Sequence, residues 1–179
     1  AHWFARHPLH LPPDVFYSSP FVRSVDTCRA VAIQLAGEQV DIGIDERLRE
    51  KEFGVLDRYT KQGIIATFPE LAQQRERVGK FYFRPPGGES WCDVILRLRS
   101  IVEVLRRDHV GDRVLIVAHQ VIVNCFRYLL ECLDERAILA IDAERDVPNC
   151  AATEYALEGQ GEHARFVLQR ANFVAPELV

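Results

Sequence analysis

The sequence predicts an α/β fold: three layers, with a mostly parallel central sheet flanked by helices and an antiparallel strand at one edge. Three observations carry this expectation. Short β-prone runs alternate with longer stretches whose apolar residues recur every three or four positions, the pattern of strands joined by crossover helices. The run Val114 to Ala118 is apolar throughout, as in a parallel strand buried on both faces. Near the end, Ala152 to Leu157 and Arg165 to Gln169 flank Gly159-Gln160-Gly161, which marks an antiparallel hairpin. The 179 residues suit one domain with one core, and no repeat, low-complexity tract or linker divides residues 1–179.

The elements follow in order. The opening "AHWFARHPLHLPP" reads as the end of a helix running into a Pro-rich loop. Val15-Phe16-Tyr17 is the first β-prone run, and Ser19 before Pro20 has the form of an N-cap and first helical position. The helix behind it turns Val22, Val25, Ala32 and Leu35 towards the core, and a second strand near Val40 to Ile44 follows the turn at Gly37. Between Asp45 and Gly88 the chain is rich in loops, with helical pieces near Thr60 to Thr67 and Pro69 to Val78. "PPGGES" (Pro85 to Ser90) interrupts the chain, and Ser90 caps a helix whose stripe is Trp91, Val94, Ile95, Leu98, Ile101, Val102 and Leu105. After Gly111-Asp112 comes the strand Val114 to Ala118. A helix then starts near Gln120, with Ile122, Cys125, Phe126, Leu129, Leu130 and Leu133 at helical spacing.

Composition narrows the function classes. A formal net charge of -4 without basic blocks speaks against nucleic acid or an anionic membrane as partner. The apolar runs are too short to span a bilayer and no signal peptide is visible, which makes the cytoplasm the default compartment. Five cysteines without metal-ligand spacing read as mostly buried free thiols. No ligand set for a metal is visible, and no cofactor is called for. The Gly87-Gly88 turn lacks the Lys-Ser/Thr of a P-loop, and no GxSxG, HExxH or GxGxxG occurs.

Two strand-to-helix turns, at Ser18-Ser19-Pro20 and Ala118-His119, fall on the carboxyl rim where such sheets bind ligands. Arg23, in the first turn of its helix, adds a bidentate donor where backbone N–H groups already attract anions. His119 fits either a polar strand terminus or a donor to a phosphate oxygen. Glu50, in "LREKEFG" (Leu48 to Gly54), becomes a general acid if an anion beside it raises its pKa, with Glu46 and Glu52 competing for that role.

Taken in order, "YSSPFVRSVDTC", "LREKEFG", "PPGGES", "VLIVAHQ" and "VPNCAATEY" resemble the histidine phosphatase superfamily, the phosphoglycerate mutase-like family. The resemblance covers nearly the whole chain. It implies a phosphoglycerate mutase-like fold, no metal, and a covalent mechanism in which the histidine of an Arg-His-Gly motif takes up the phosphoryl group. By position, Arg23 would bind phosphate, and Glu50 would protonate the leaving oxygen and then help to activate water. His119 would be the second pocket histidine, donating to phosphoryl oxygens, and Arg84, beside the Pro-Pro-Gly-Gly turn, is a candidate substrate contact. The partner implied is a phosphorylated small molecule, and homodimerisation is compatible with the sequence.

Departures from the family pattern add further expectations. Only sixteen residues precede Tyr17, and Arg6-His7-Pro8 has a proline where the nucleophile motif needs glycine. The first strand and the nucleophilic histidine are therefore expected upstream of Ala1. Gln120 stands where most members carry glycine, as in the sugar-bisphosphatase branch, but Asn124 replaces the arginine of that branch. Hydrolysis is favoured over mutase-type phosphoryl transfer because the segment between Gly54 and Gly88 is short and lacks the paired arginines of a glycerate mutase. A non-catalytic relative that binds phosphorylated ligands or a partner protein is the alternative from a different class.

Overall fold

The structure, a computed structural model, describes residues 12–159 and 161–175. The helix end expected before Pro12, and Arg6-His7-Pro8 within it, lie outside the described residues. Three parallel strands form one sheet in the order β2-β1-β3, with β1 at Val15–Ser18, β2 at Ile42–Ile44 and β3 at Val114–Val117. Among the described residues six α-helices accompany them: α1 (Val22–Ala36), α2 (Lys61–Thr67), α3 (Pro69–Val78), α4 (Trp91–Asp108), α5 (Gln120–Leu130) and α6 (Glu135–Glu144).

Strand periodicity builds the three layers. Successive side chains of a strand point to opposite faces. Phe16 and its register partners Ile42 and Leu115 therefore share one face, where they pack with Val117, Cys28 and Ala32 beneath α1. Tyr17 and Ile116 face the other way, into a larger cluster of Leu48, Phe81, Trp91, Leu98, Ile122, Cys125 and Ile138 from α4, α5, α6 and the loops. The α4 stripe is buried as its spacing predicts, from Trp91 through Val102, with Leu105 packed at its margin. Its N-terminus is locally determined. The Ser90 hydroxyl accepts from Asp93 N and the Asp93 carboxylate accepts from Ser90 N at 2.8 Å, a reciprocal capping box.

The structure corrects several expectations. The N-cap of α1 is Phe21, not Ser19, so the helix starts two residues later and presents Ser24, Cys28 and Ala32 inward. Val22 is 74% exposed and Val25 and Leu35 are only half-buried. The Ser19 hydroxyl is engaged by His119 across the sheet, which competes with the local capping geometry. β3 is half-buried at each position rather than fully covered, because it is the outer strand of the sheet among the described residues. The antiparallel pair exists, as β4 (Ala152–Glu158) and β5 (Arg165–Phe173), but among the described residues it ladders only with itself. It is tied to α5 by Tyr155, whose hydroxyl donates to Glu131 at 2.7 Å while Arg127 grips the same carboxylate at 2.8 Å. Of the free thiols, Cys28 and Cys125 are buried, whereas Cys132 and Cys150 are exposed in turns at positive φ.

Helices α2 and α3 contain no buried residue and stand off the core. The chain that enters and leaves this excursion is pinned at its base. Gly54, at φ +55, lies against Pro86 so closely that an added Cβ would sit 2.1 Å from Pro86 O. Val55 N donates to that same carbonyl at 3.0 Å, and Glu89 N donates to Glu52 O at 2.9 Å. The Gly54 block and the "PPGGES" block thus meet backbone to backbone, a contact that requires glycine.

Candidate phosphate-binding site

The ends of β1 and β3 lie side by side, with Ser18 in register with Val117 and Ser19 N donating to Val117 O at 3.0 Å. The two following turns therefore open on one rim. His119 is the N-cap of α5, held by extended backbone, and its ring is buried to 8% exposure. Arg23, the second residue of α1, donates from Nη2 to His119 Nδ1 at 3.1 Å. Phe21 supports both, its ring 4.7 Å beneath the Arg23 guanidinium and 5.1 Å from the His119 ring in an edge-on contact. Neither α1 nor α5 has a side-chain cap, so backbone N–H groups at both helix starts are open to an anion.

Burial pushes the His119 pKa down to about 4, assisted by the positive charges of Arg23 and Arg97. The ring is neutral at pH 7. Glu50 moves the opposite way. Burial raises its carboxyl pKa, and the Lys51 N–H bond at 2.8 Å with the charges of Arg23, Arg97 and Lys51 only partly reverses this. The Arg23 charge is thus felt by both His119 and Glu50, which unites the three sequence candidates in one electrostatic environment. Glu46 and Glu52 are exposed, and Glu52 pairs with Arg49 at 3.3 Å, so of the three competing carboxyls Glu50 is the half-buried one that feels the Arg23 and Arg97 charges.

The Glu50 loop is held by Arg97, a residue that the sequence reading did not single out. Its guanidinium donates to Glu89 at 2.9 and 3.1 Å, to the carbonyl of Arg47, and to the carbonyl of Glu50 at 3.5 Å. Both partners of the Arg97–Glu89 pair are nearly buried. Arg84, by contrast, is braced on the capping box of α4. It forms two bonds to the Asp93 carboxylate, one of 2.7 Å, and no described contact brings it to Arg23, Glu50 or His119. Its side chain is largely exposed, and Asp93 is the anion within reach.

Two hydroxyls at the site were also unforeseen. Ser19 Oγ lies 2.8 Å from His119 Nε2, and Ser24 Oγ lies 3.3 Å from the same atom. Ser24 carried a signal, because it is a polar residue on the same helical stripe as Cys28 and Ala32. Ser19 carried a misleading one, its resemblance to a helix cap. Among the described residues no group of His, Cys, Asp and Glu is arranged to hold a metal, and no helix is long and apolar enough to cross a membrane.

Fold and site define an α/β protein whose rim brings together two helix starts without side-chain caps, a guanidinium and a neutral imidazole. The chain belongs to the histidine phosphatase superfamily (branch 1), whose family model matches residues 1–171. It is 30% identical over 146 residues to a 2,3-bisphosphoglycerate-dependent phosphoglycerate mutase of Rhizobium etli, a match covering 80% of this chain and 68% of that protein. It is 39% identical over 95 residues to the phosphoglycerate mutase-like protein AT74 of Arabidopsis thaliana, where the match covers 52% of this chain but only 28% of the plant protein. Among solved structures, a mycobacterial glucosyl-3-phosphoglycerate phosphatase in complex with VO3 superposes with a TM-score of 0.74 at 26% identity, over 89% of this chain and 77% of that one.

Proposed function

We propose that this chain carries the phosphate-binding and proton-transfer groups of a phosphomonoesterase that works through a phosphohistidine. The observation that carries the reading is the Arg23–His119 contact at 3.1 Å between two open helix starts, with Glu50 held under the same positive charge. In the first step a histidine nitrogen outside the described residues attacks phosphorus and the bond to the leaving oxygen breaks. Glu50, whose raised pKa favours the protonated form, delivers its proton to that oxygen. In the second step the Glu50 carboxylate takes a proton from water, whose oxygen bonds to phosphorus as the P–N bond breaks. Arg23, His119 and the helix N–H groups bind the equatorial oxygens as their charge grows. The substrate is a phosphorylated small molecule, and Arg84 would contact it only by exchanging its bonds to Asp93 for substrate.

The test is hydrolysis of p-nitrophenyl phosphate by the full-length protein, with alkaline-quench trapping of the phosphoenzyme and an acid-lability check on what is trapped. Arg23→Ala and His119→Ala should each lower kcat/KM by about 100-fold or more, as for loss of one transition-state donor. Glu50→Gln should lower it by roughly 100-fold or more, with the larger loss on alkyl phosphates, whose leaving oxygen needs the proton. An acid-stable phosphoenzyme, or activity untouched by Arg23→Ala and His119→Ala, would reject the reading. Mutase-type transfer is the second reading, supported by the likeness to the Rhizobium etli mutase. It predicts phosphoryl exchange between glycerate phosphates faster than release of inorganic phosphate.

A further inference from the structure

We propose that Ser19 is a positioning residue whose hydroxyl accepts the Nε2 proton of His119, holding the imidazole in the tautomer whose bare Nδ1 faces Arg23. The proposal rests on the phosphatase reading for its purpose, because it states how one phosphate ligand is prepared. Its geometry stands independently.

The assignment follows from counting protons. A guanidinium has donors and no acceptor, so the Arg23 Nη2 contact at 3.1 Å requires a lone pair on His119 Nδ1. A neutral imidazole has one N–H, and with Nδ1 bare that proton must lie on Nε2. The groups facing Nε2 are two hydroxyls, Ser19 Oγ at 2.8 Å and Ser24 Oγ at 3.3 Å, so at least one of them accepts. Ser19 makes the shorter contact and is fully buried, at 0% exposure. Its neighbour Ser18 sends its hydroxyl to Ser19 O at 2.9 Å and leaves the ring alone. The other bond to Ser19 Oγ, from Phe21 N, is long at 3.4 Å and asks only for an acceptor. The Ser19 oxygen is therefore used as an acceptor on both sides. This also explains why it does not cap α1.

The consequence concerns which nitrogen changes state. With Nε2–H committed to Ser19, a phosphate oxygen that displaces the Arg23 contact can be served only from Nδ1, which must first gain a proton. Arg23 on α1 and Arg97 on α4 oppose that charge, Glu50 lies in the same field, and an incoming phosphate dianion supplies the compensating charge. Phosphate binding and proton uptake at Nδ1 are thus coupled. Without the Ser19 acceptor, the proton can move to Nδ1 in advance and the coupling is lost.

The experiment is long-range 1H–15N correlation on the 15N-histidine-labelled full-length protein near pH 7.5, followed by titration with inorganic phosphate across pH. The expected result is a His119 with protonated Nε2 and bare Nδ1. Ser19→Ala should populate the Nδ1–H tautomer, weaken phosphate by about tenfold, as for one lost hydrogen bond, and flatten the pH dependence of binding. Ser19→Thr should restore all three, and Ser24→Ala should leave the tautomer unchanged. A wild-type His119 protonated on Nδ1 overturns the proposal on its own, so the wild-type spectrum decides even if Ser19→Ala does not fold. Unchanged tautomer and pH profile in Ser19→Ala also overturn it, while leaving the phosphatase reading intact. Conversely, the expected tautomer with no phosphate binding supports Ser19 and rejects the phosphatase reading.

Discussion

Replacing Gly54 with alanine tests the junction that holds the Glu50 loop in place. Two separable penalties apply. Gly54 adopts φ +55, where a side chain costs about 1 kcal/mol of backbone strain. Its new Cβ would also lie 2.1 Å from Pro86 O and 2.7 Å from both Gly87 C and Gly88 N, all of them backbone atoms that cannot swing aside. Relieving such an overlap costs about 1–3 kcal/mol. It also breaks the 3.0 Å bond from Val55 N to Pro86 O, worth about another 1 kcal/mol. The sum is about 3–5 kcal/mol. Gly87→Ala is the internal control, because Gly87 has φ +71 but its Cβ would meet only Gly54 Cα, at an ordinary 3.8 Å. That variant should lose about 1 kcal/mol, the strain alone. Urea unfolding followed by circular dichroism gives both values. At an m-value of about 2 kcal/mol/M, the Gly54→Ala midpoint should fall roughly 1–2 M below that of Gly87→Ala. Midpoints within about 0.3 M of each other, under 1 kcal/mol at that slope, would refute the close-approach argument.

The His119 ring makes stability depend on pH. Unfolded, it takes up a proton near pH 6.5; folded, only near pH 4, so the unfolded chain binds more protons in between and stability falls as pH drops through that window. From pH 7.5 to pH 5 the loss attributable to the ring is about 2 kcal/mol. It is read as the difference between wild-type and His119→Gln denaturation curves, which removes the opposite contribution of Glu50, whose raised carboxyl pKa favours the folded state at lower pH. Tyr155→Phe should cost about 1–2 kcal/mol in the same assay by removing the 2.7 Å bond to Glu131 that ties β4 to α5. Arg84→Ala should change stability by less than about 1 kcal/mol, because its pair with Asp93 is exposed. In the folded chain a thiol reagent should label Cys132 and Cys150 rapidly, and Cys28 and Cys125 only on unfolding, which peptide mapping after timed labelling would show.

What was legible in the sequence was local or periodic. The Ser90 cap and the α4 stripe depend on residues a few positions apart, so spacing alone located them, and the structure added the reciprocal bond from Asp93. The β-prone run Val15-Phe16-Tyr17 and the unbroken apolar run Val114 to Ala118 implied a parallel sheet between helices, and the strand-end rule put the turns before Arg23 and at His119 on one rim. Only tertiary structure decided the rest. The Arg23–His119 contact joins residues 96 apart, and the Ser19–His119 contact joins residues 100 apart. Such a partner can take a hydroxyl away from the helix cap that its neighbours favour. That Glu50 rather than Glu46 or Glu52 is half-buried under the Arg23 and Arg97 charges was set by packing, and Arg84 was captured by Asp93 of α4. Local hydrogen bonds and side-chain periodicity are properties of a short segment. Burial and charge pairing belong to whatever the fold brings alongside, so the sequence named the candidate groups and the packing decided their bonds.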